Sequence, residues 1–376
     1  MPNFRRLRRW TGPITRPSLR RGRWRPLERI FLHVGVEKTG TTTLQVAMAI
    51  NRPLLHQCGY AIPMGPAGSP SYHIGLALCA ANPDAVPELR QVAGLTSGAA
   101  YSAFLENYPM QIARELTQSE CHTAILSNEH CSSRLSTVAE IVKLYEIFSR
   151  LAHERRIIIY LRRQDELASS HYSTSVRAGS TSEFNFPSEV HWLDYLHLLE
   201  MWAQVFGKEN LVIRIFEPQQ LKDGDLLADF FSVVGFMRQD ELLRPEDQNR
   251  SLDVYTVEFL RRFNAQLPTC VEAGLDRARG DIDEALAAIT TRECLRPGAD
   301  AATAFLNRFA ASNAEVARRF LNREDGTLFT NAPTDDQPAR LPSLDVDKAM
   351  AISVALWRWQ EARMRAVLRN TRAQLR

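Results

Sequence analysis

The sequence predicts an α/β fold in which helices cover both faces of a central parallel sheet, followed by a helical C-terminal extension. Two observations carry this. Short apolar runs rich in branched residues, at 30–34, 122–127, 156–161 and 211–216, are each separated by stretches with helical patterning. That alternation is the mark of parallel strands joined by crossover helices. Beyond about residue 240 only helix-like segments remain. With 376 residues and 45% hydrophobic content, the chain has enough apolar material for a sizeable core.

The first strand-like run leads into Gly35, Val36, Glu37, Lys38, Thr39 and Gly40, then Thr41, Thr42 and Thr43, and a helical pattern continues to residue 50. Strand, glycine-bounded turn and helix start, in that order, make an anion site. The first N–H groups of a helix lack carbonyl partners and carry the positive end of its dipole. Gly35 and Gly40 permit the tight turn and close backbone approach. Lys38 adds a mobile positive charge, and the threonines add hydroxyl donors.

After a break at 53–59, residues 60–63 read as extended, and a Gly/Pro/Ser-rich loop ends at His73 where a helix opens. Residues 99–118 read as an amphipathic helix. The buried strand at 122–127 is followed at once by Asn128, Glu129 and His130, and a helix is expected over 133–150. The strand at 156–161 is followed by Arg162 and Arg163. Helices are expected over 192–206 and 226–234, flanking the strand at 211–216, and the polar segment 179–190 suits a substrate loop. In an open parallel sheet ligands sit outside the carboxyl ends of the strands. Glu129 and His130 are therefore expected beside the 35–40 loop. Further helices are expected over 254–264, 281–288, 301–320 and 345–375. The division that follows is a basic leader at 1–28, whose composition is that of a disordered segment, a core at 29–240, and a mainly helical part at 241–376 expected to complete the site.

The loop resembles a P-loop with its lysine displaced. In the nucleoside-triphosphate pattern the lysine follows the second glycine; here Lys38 precedes Gly40 by two residues and Thr41 stands in the lysine's place. The run from Lys38 to Gln45 closely resembles the 5′-phosphosulfate loop of sulfotransferases, which use 3′-phosphoadenosine 5′-phosphosulfate (PAPS). The resemblance extends in patches over 29–330. Trp202, the run 206–217, Asp229, Phe230 and 234–236 look like the matching stretch of bacterial carbohydrate sulfotransferases. Asn249, Arg250 and Ser251 are similar to a polar element near the nucleotide, and 309–329 resembles the helical tail of those proteins.

The resemblance implies a P-loop-type three-layer αβα fold and transfer of a sulfuryl group from PAPS to a hydroxyl, with a sugar on a glycan or glycolipid as acceptor. It implies a 5′ site made by Gly35, Lys38, Thr39, Gly40, Thr41, Thr42 and Thr43, with Lys38 at the leaving phosphate. It also implies a 3′-phosphate site made by an arginine at a strand end and a serine eight residues on. Arg162 and Ser170 match, and an arginine offers phosphate a planar fork. Gln164 stands where the family often has proline, so Arg163 and Ser169 are rivals. A base must accept the acceptor's proton: Glu129 is the first choice, His130 the second and His73 the third, since the family uses both carboxylates and histidines. No metal is expected, because neither 123–126 nor 157–161 carries the aspartate that holds Mg²⁺ in P-loop NTPases. The same absence weighs against a nucleotide kinase or NTPase.

Net charge is +3, unevenly spread. Residues 1–29 hold ten arginines against one acid, Glu28, a net of +9, which leaves −6 for the rest. An acidic body disfavours nucleic acid as a partner. The leader, with Trp10 and Trp24, suits peripheral contact with an anionic lipid surface and keeps a non-catalytic, membrane-docking nucleotide sensor as the rival reading. It lacks the apolar core of a secretory signal, and no run approaches the roughly 18 apolar residues of a membrane span. The six cysteines (Cys58, Cys79, Cys121, Cys131, Cys270, Cys294) form no CxxC pair, which fits reduced thiols in a cytoplasmic protein. In the last helix Met350, Val354, Trp357, Met364 and Leu368 share a face interrupted by Glu361, a pattern for core packing or dimerisation rather than membrane insertion.

Overall fold

A computed structural model describes residues 26–65, 69, 72–245, 252–267, 282–290, 295–333 and 344–374. Most of the basic leader, the Asn249, Arg250, Ser251 triplet, Cys270 and Cys294 lie outside the described residues. The first part of the chain runs β1 (Leu27–His33), α1 (Thr41–Ile50), α2 (Arg52–Gln57), β2 (Tyr60–Ala61), α3 (Gly75–Ala80), α4 (Pro87–Val92), α5 (Gly98–Gln118) and β3 (Thr123–Ser127). It continues through α6 (His130–Arg134), α7 (Val138–Phe148), β4 (Ala152–Leu161), α8 (Gln164–Arg177), α9 (Tyr195–Phe206), β5 (Leu211–Ile215) and α10 (Leu226–Val233). The helices α11 (Val254–Gln266), α12 (Ile282–Ile289), α13 (Ala299–Asn307), α14 (Ala310–Leu321) and α15 (Val346–Gln374) follow.

The five strands form one parallel sheet in the order β2-β3-β1-β4-β5. β1 is central, pairing His33 with Ser127 of β3 and with Ile158 of β4. Covered on both faces, the central strands read as continuous apolar runs. On one face Leu32, Leu126, Ile157 and Ile159 pack against apolar residues of α3, α5, α7 and α9. On the other, Phe31, Ile125, Ile158 and Tyr160 pack against Leu44 and Met48 of α1 and Phe230 and Phe231 of α10. The architecture is thus α/β in three layers. Because all strands run the same way, their carboxyl ends share one edge, and the 35–40 loop leaves the middle of it.

The helical C-terminal segments pack on this core. The buried Gln164 donates its amide N–H to Asn313 Oδ1 at 2.8 Å and accepts from Asn313 Nδ2 at 3.1 Å, tying α8 to α14. Glu217, buried behind β5, accepts from the Thr330 hydroxyl at 2.8 Å and its N–H at 2.9 Å. Val176 of α8, Val257 and Leu260 of α11 and Leu286 of α12 form a separate apolar cluster.

Several elements differ from the sequence expectation for local reasons. The stretch around Pro53 forms α2, because proline is tolerated in the first turn, where its missing N–H has no partner to lose. The single helix expected over 133–150 is two. Thr137 starts α7 with a capping box: its hydroxyl accepts from the Glu140 N–H at 3.3 Å, and Glu140 Oε2 accepts from the Thr137 N–H at 2.9 Å. The helix expected over 301–320 breaks at Arg308 and Phe309, where Phe309 turns into the core.

Candidate active site

The loop is stitched to β4. Val36 N–H donates to Tyr160 O at 2.9 Å, and Tyr160 N–H donates to Gly35 O at 2.7 Å. It then doubles back through positive φ at Lys38 (64°) and Gly40 (75°). At Lys38, a residue with a Cβ, such a conformation costs on the order of 1 kcal/mol. Gly40 caps α1, and a Cβ there would sit 2.4 Å from Leu226 Cδ2. Leu44 N–H makes the helix's first bond, to Gly40 O at 3.1 Å. The N–H groups of Thr41, Thr42 and Thr43 precede it and have no upstream carbonyl in the helix.

These three threonines, with Lys38, line a cleft of about 1350 Å³. The Lys38 ammonium is held below the ordinary lysine value, by burial first, while Glu37 and Glu129 pull it up and Arg177 and Arg162 push it down. Two members of the expected anion set shape the loop instead. Thr39 is buried and its hydroxyl donates inward to Val36 O at 2.7 Å. A Cβ on Gly35 would crowd Ser132 Oγ and Glu129 Cα at 3.0 and 3.2 Å.

The end of β4 forms the second wall. Arg162 Nη1 donates to Lys38 O at 2.8 Å, Nε donates to Glu166 at 3.2 Å, and the guanidinium lies 5.7 Å from the Phe216 ring centre. Arg163 is more buried. Its fork grips Asp165 at 2.7 and 2.9 Å, and Nη1 donates to Asn331 O at 2.8 Å. Ser169 is buried and donates to Asp165 O at 2.8 Å, whereas Ser170 is half-buried. All four line the cleft, but Arg163 and Ser169 are engaged with Asp165, and Arg162 is the arginine joined to the loop.

The end of β3 forms the third wall. Glu129 Oε2 accepts from Gln45 Nε2 at 2.7 Å. His130 Nδ1–H donates to Glu37 Oε1 at 3.0 Å, and the same oxygen accepts from Ser133 Oγ at 2.5 Å. Arg134 and His171 Nε2 stand 3.8 Å from the Glu37 carboxylate. Burial alone would raise the Glu37 carboxyl. The hydrogen bonds from His130 and Ser133 and the charges of His130 and His171 outweigh it, pulling the carboxyl down to about 2. His171 is lowered by burial, against the pull of Glu37, and packs edge-on to Trp192 at 5.0 Å.

His73 does not reach the cleft. It is buried, its Nε2–H donates to Pro63 O at 2.8 Å, and its Nδ1 accepts from the Ser127 N–H at 3.0 Å. With both ring nitrogens engaged and burial lowering it to about 4, it is a structural histidine. Conversely, sequence reasoning gave no role to Glu37 or His171. Glu37 lies in the loop motif itself, but its partners come from α6 and α8, so no local signal marks it.

The site can hold anions at the start of α1, beside Lys38 and near Arg162, and it presents an oriented imidazole. Among the described residues no group of three or more His, Cys, Asp or Glu is arranged to hold a metal ion. No family model matches the chain. An uncharacterised protein of Archaeoglobus fulgidus is 25% identical over 209 residues, covering 52% of this chain and 54% of that protein. The chain thus spans about half the length of that relative. Among solved structures, the sulfotransferase from Alicyclobacillus acidocaldarius is similar at 18% identity and a TM-score of 0.36, over 60% of this chain and 86% of that one.

Proposed function

We propose that the chain transfers a sulfuryl group from PAPS to a hydroxyl of a carbohydrate, on a glycan or glycolipid. The observation that carries this reading is one cleft lined both by Lys38 with the N-terminus of α1 and by Arg162 with Ser170. A donor anionic at both its 5′ and 3′ ends needs two such sites, and these residues fit that demand. The carbohydrate class rests on the resemblance of 206–217 and 309–329 to bacterial carbohydrate sulfotransferases.

The donor supplies the sulfuryl group, with adenosine 3′,5′-bisphosphate as its leaving part. Lys38 and the N–H groups of Thr41, Thr42 and Thr43 bind the 5′ end and neutralise charge there. Arg162 and Ser170 bind the 3′-phosphate. By analogy with phosphoryl transfer, positioning and charge stabilisation carry most of the catalysis. His130 is the fitter base. Glu37 takes its Nδ1–H, which leaves Nε2 as the ring's proton acceptor. Glu129, first choice on sequence, is engaged with Gln45.

Isothermal titration calorimetry tests the reading. Adenosine 3′,5′-bisphosphate is expected to bind at least about tenfold more tightly than ATP, with or without Mg²⁺. Equal affinities, or a strict Mg²⁺ requirement, would replace this reading with a P-loop kinase or NTPase.

A further inference from the structure

We infer that the outward stripe of α15 is a docking surface for an anionic phospholipid bilayer. The helix has two apolar faces. Ile352 and Leu356 pack against the cluster of Val257, Leu260 and Leu286. The other face carries Met350, Val354, Trp357, Met364 and Leu368, all exposed, with Trp357 at 70%. It was expected to pack in the core or against a second copy; among the described residues these five side chains stay exposed. At 1.5 Å per residue this stripe, interrupted at Glu361, runs about 27 Å along one face, unlike surface apolar residues scattered singly.

Charge selects the occupant. Between residues 358 and 369 there are four arginines (Arg358, Arg363, Arg365, Arg369) and one acid, Glu361. Glu361 lies within the stripe and is paired, accepting from Arg365 Nη2 at 2.6 Å. On a helical wheel Arg358, Arg365 and Arg369 fall along one margin of the stripe. A tryptophan-bearing apolar stripe edged by arginines suits a helix lying in the headgroup plane, its arginine stems covering apolar surface and their heads meeting lipid phosphates. A second copy seated on the same stripe would bring arginine-rich margins together, and the nine arginines of the leader at 1–28 add charge of the same sign. No helix among the described residues is long and apolar enough to cross a membrane, so the helix lies on the surface. The inference does not rest on the catalytic reading.

Vesicle flotation of the full-length chain tests it. The chain is expected to float with phosphatidylcholine vesicles containing about 30% phosphatidylglycerol and not with pure phosphatidylcholine. The double substitution Trp357→Ser, Met364→Ser is expected to lower flotation at least about tenfold with thermal unfolding unchanged, because both residues are exposed. Arg358→Gln with Arg365→Gln should lower it at low salt, and by less at raised salt where the lipid charge is screened. Equal flotation with neutral vesicles would overturn the inference, as would undiminished flotation of the Trp357, Met364 variant, which would assign binding to the leader. A wild-type dimer by sedimentation velocity that this variant dissolves, with flotation unaffected, would assign the stripe to a second copy.

Discussion

Lys38, Glu37 and His130 carry distinct burdens, and single substitutions separate them. Lys38→Ala removes the ammonium from the half-buried loop and is expected to lower turnover from PAPS by about 10²–10³-fold with the fold intact; turnover within about twofold of wild type would take Lys38 out of the site. His130→Ala should cost about 10²-fold in kcat. Glu37→Gln keeps shape but weakens the bond that orients the ring, and should cost roughly tenfold. A full-strength His130→Ala together with an inactive Glu129→Gln would return the base to Glu129. Glu37 is ionised through the working range: its carboxyl is lowered to about 2 from the ordinary 4.5, so its ionised state contributes stability above pH 4.5 that is lost as pH falls through 2. An acid limb in kcat/KM between pH 5 and 7 would therefore not report Glu37.

At the scale of elements, the join between β1 and α1 is the most constrained part of the chain. Gly40→Ala combines a φ of 75° with a Cβ 2.4 Å from Leu226 Cδ2. It is expected to cost about 1–2 kcal/mol or more in urea denaturation, and to weaken adenosine 3′,5′-bisphosphate binding because the first turn of α1 must shift. The capping box of α7 offers a contrast. Thr137→Ala should cost about 1 kcal/mol and leave nucleotide affinity unchanged. Strand, turn and helix around the loop were legible in the sequence, because each depends on residues adjacent in the chain. The split of 133–150 was less so: the Thr137, Glu140 pair that causes it sits inside an otherwise helical pattern.

For the whole molecule, two buried histidines add to acid sensitivity. Burial lowers His33 to about 3, and lowers His73 to about 4 against the raising effect of its backbone bonds. Both folded values lie below the ordinary 6.5, so the unfolded chain binds more protons in between. Stability is present above pH 6.5 and is lost as pH falls, through 4 for His73 and 3 for His33. Each histidine contributes a slope of up to about 1.4 kcal/mol per pH unit. Denaturation at stepped pH should show this slope, and His33→Asn should remove one proton's share; an unchanged slope in that variant would exclude His33 as a source.

The sequence by itself determined the α/β class and the parallel direction of the strands, implied by strand–helix alternation, and it marked the glycine-bounded turn at a helix start as a candidate anion site, since these follow from patterns within a few turns of chain. Only the tertiary structure decided what each site residue touches. Glu37 meets His130 across 93 residues of sequence, Arg162 meets the Lys38 carbonyl across 124, and Gln164 meets Asn313 across 149. His73 was a plausible base until its ring was found enclosed between Pro63 and Ser127. These pairings depend on strand order and on which helix covers which edge. Local propensity and periodicity carry no term for either, so a motif could mark the 35–40 loop as a candidate anion site while leaving its carboxylate, Glu37, without a role.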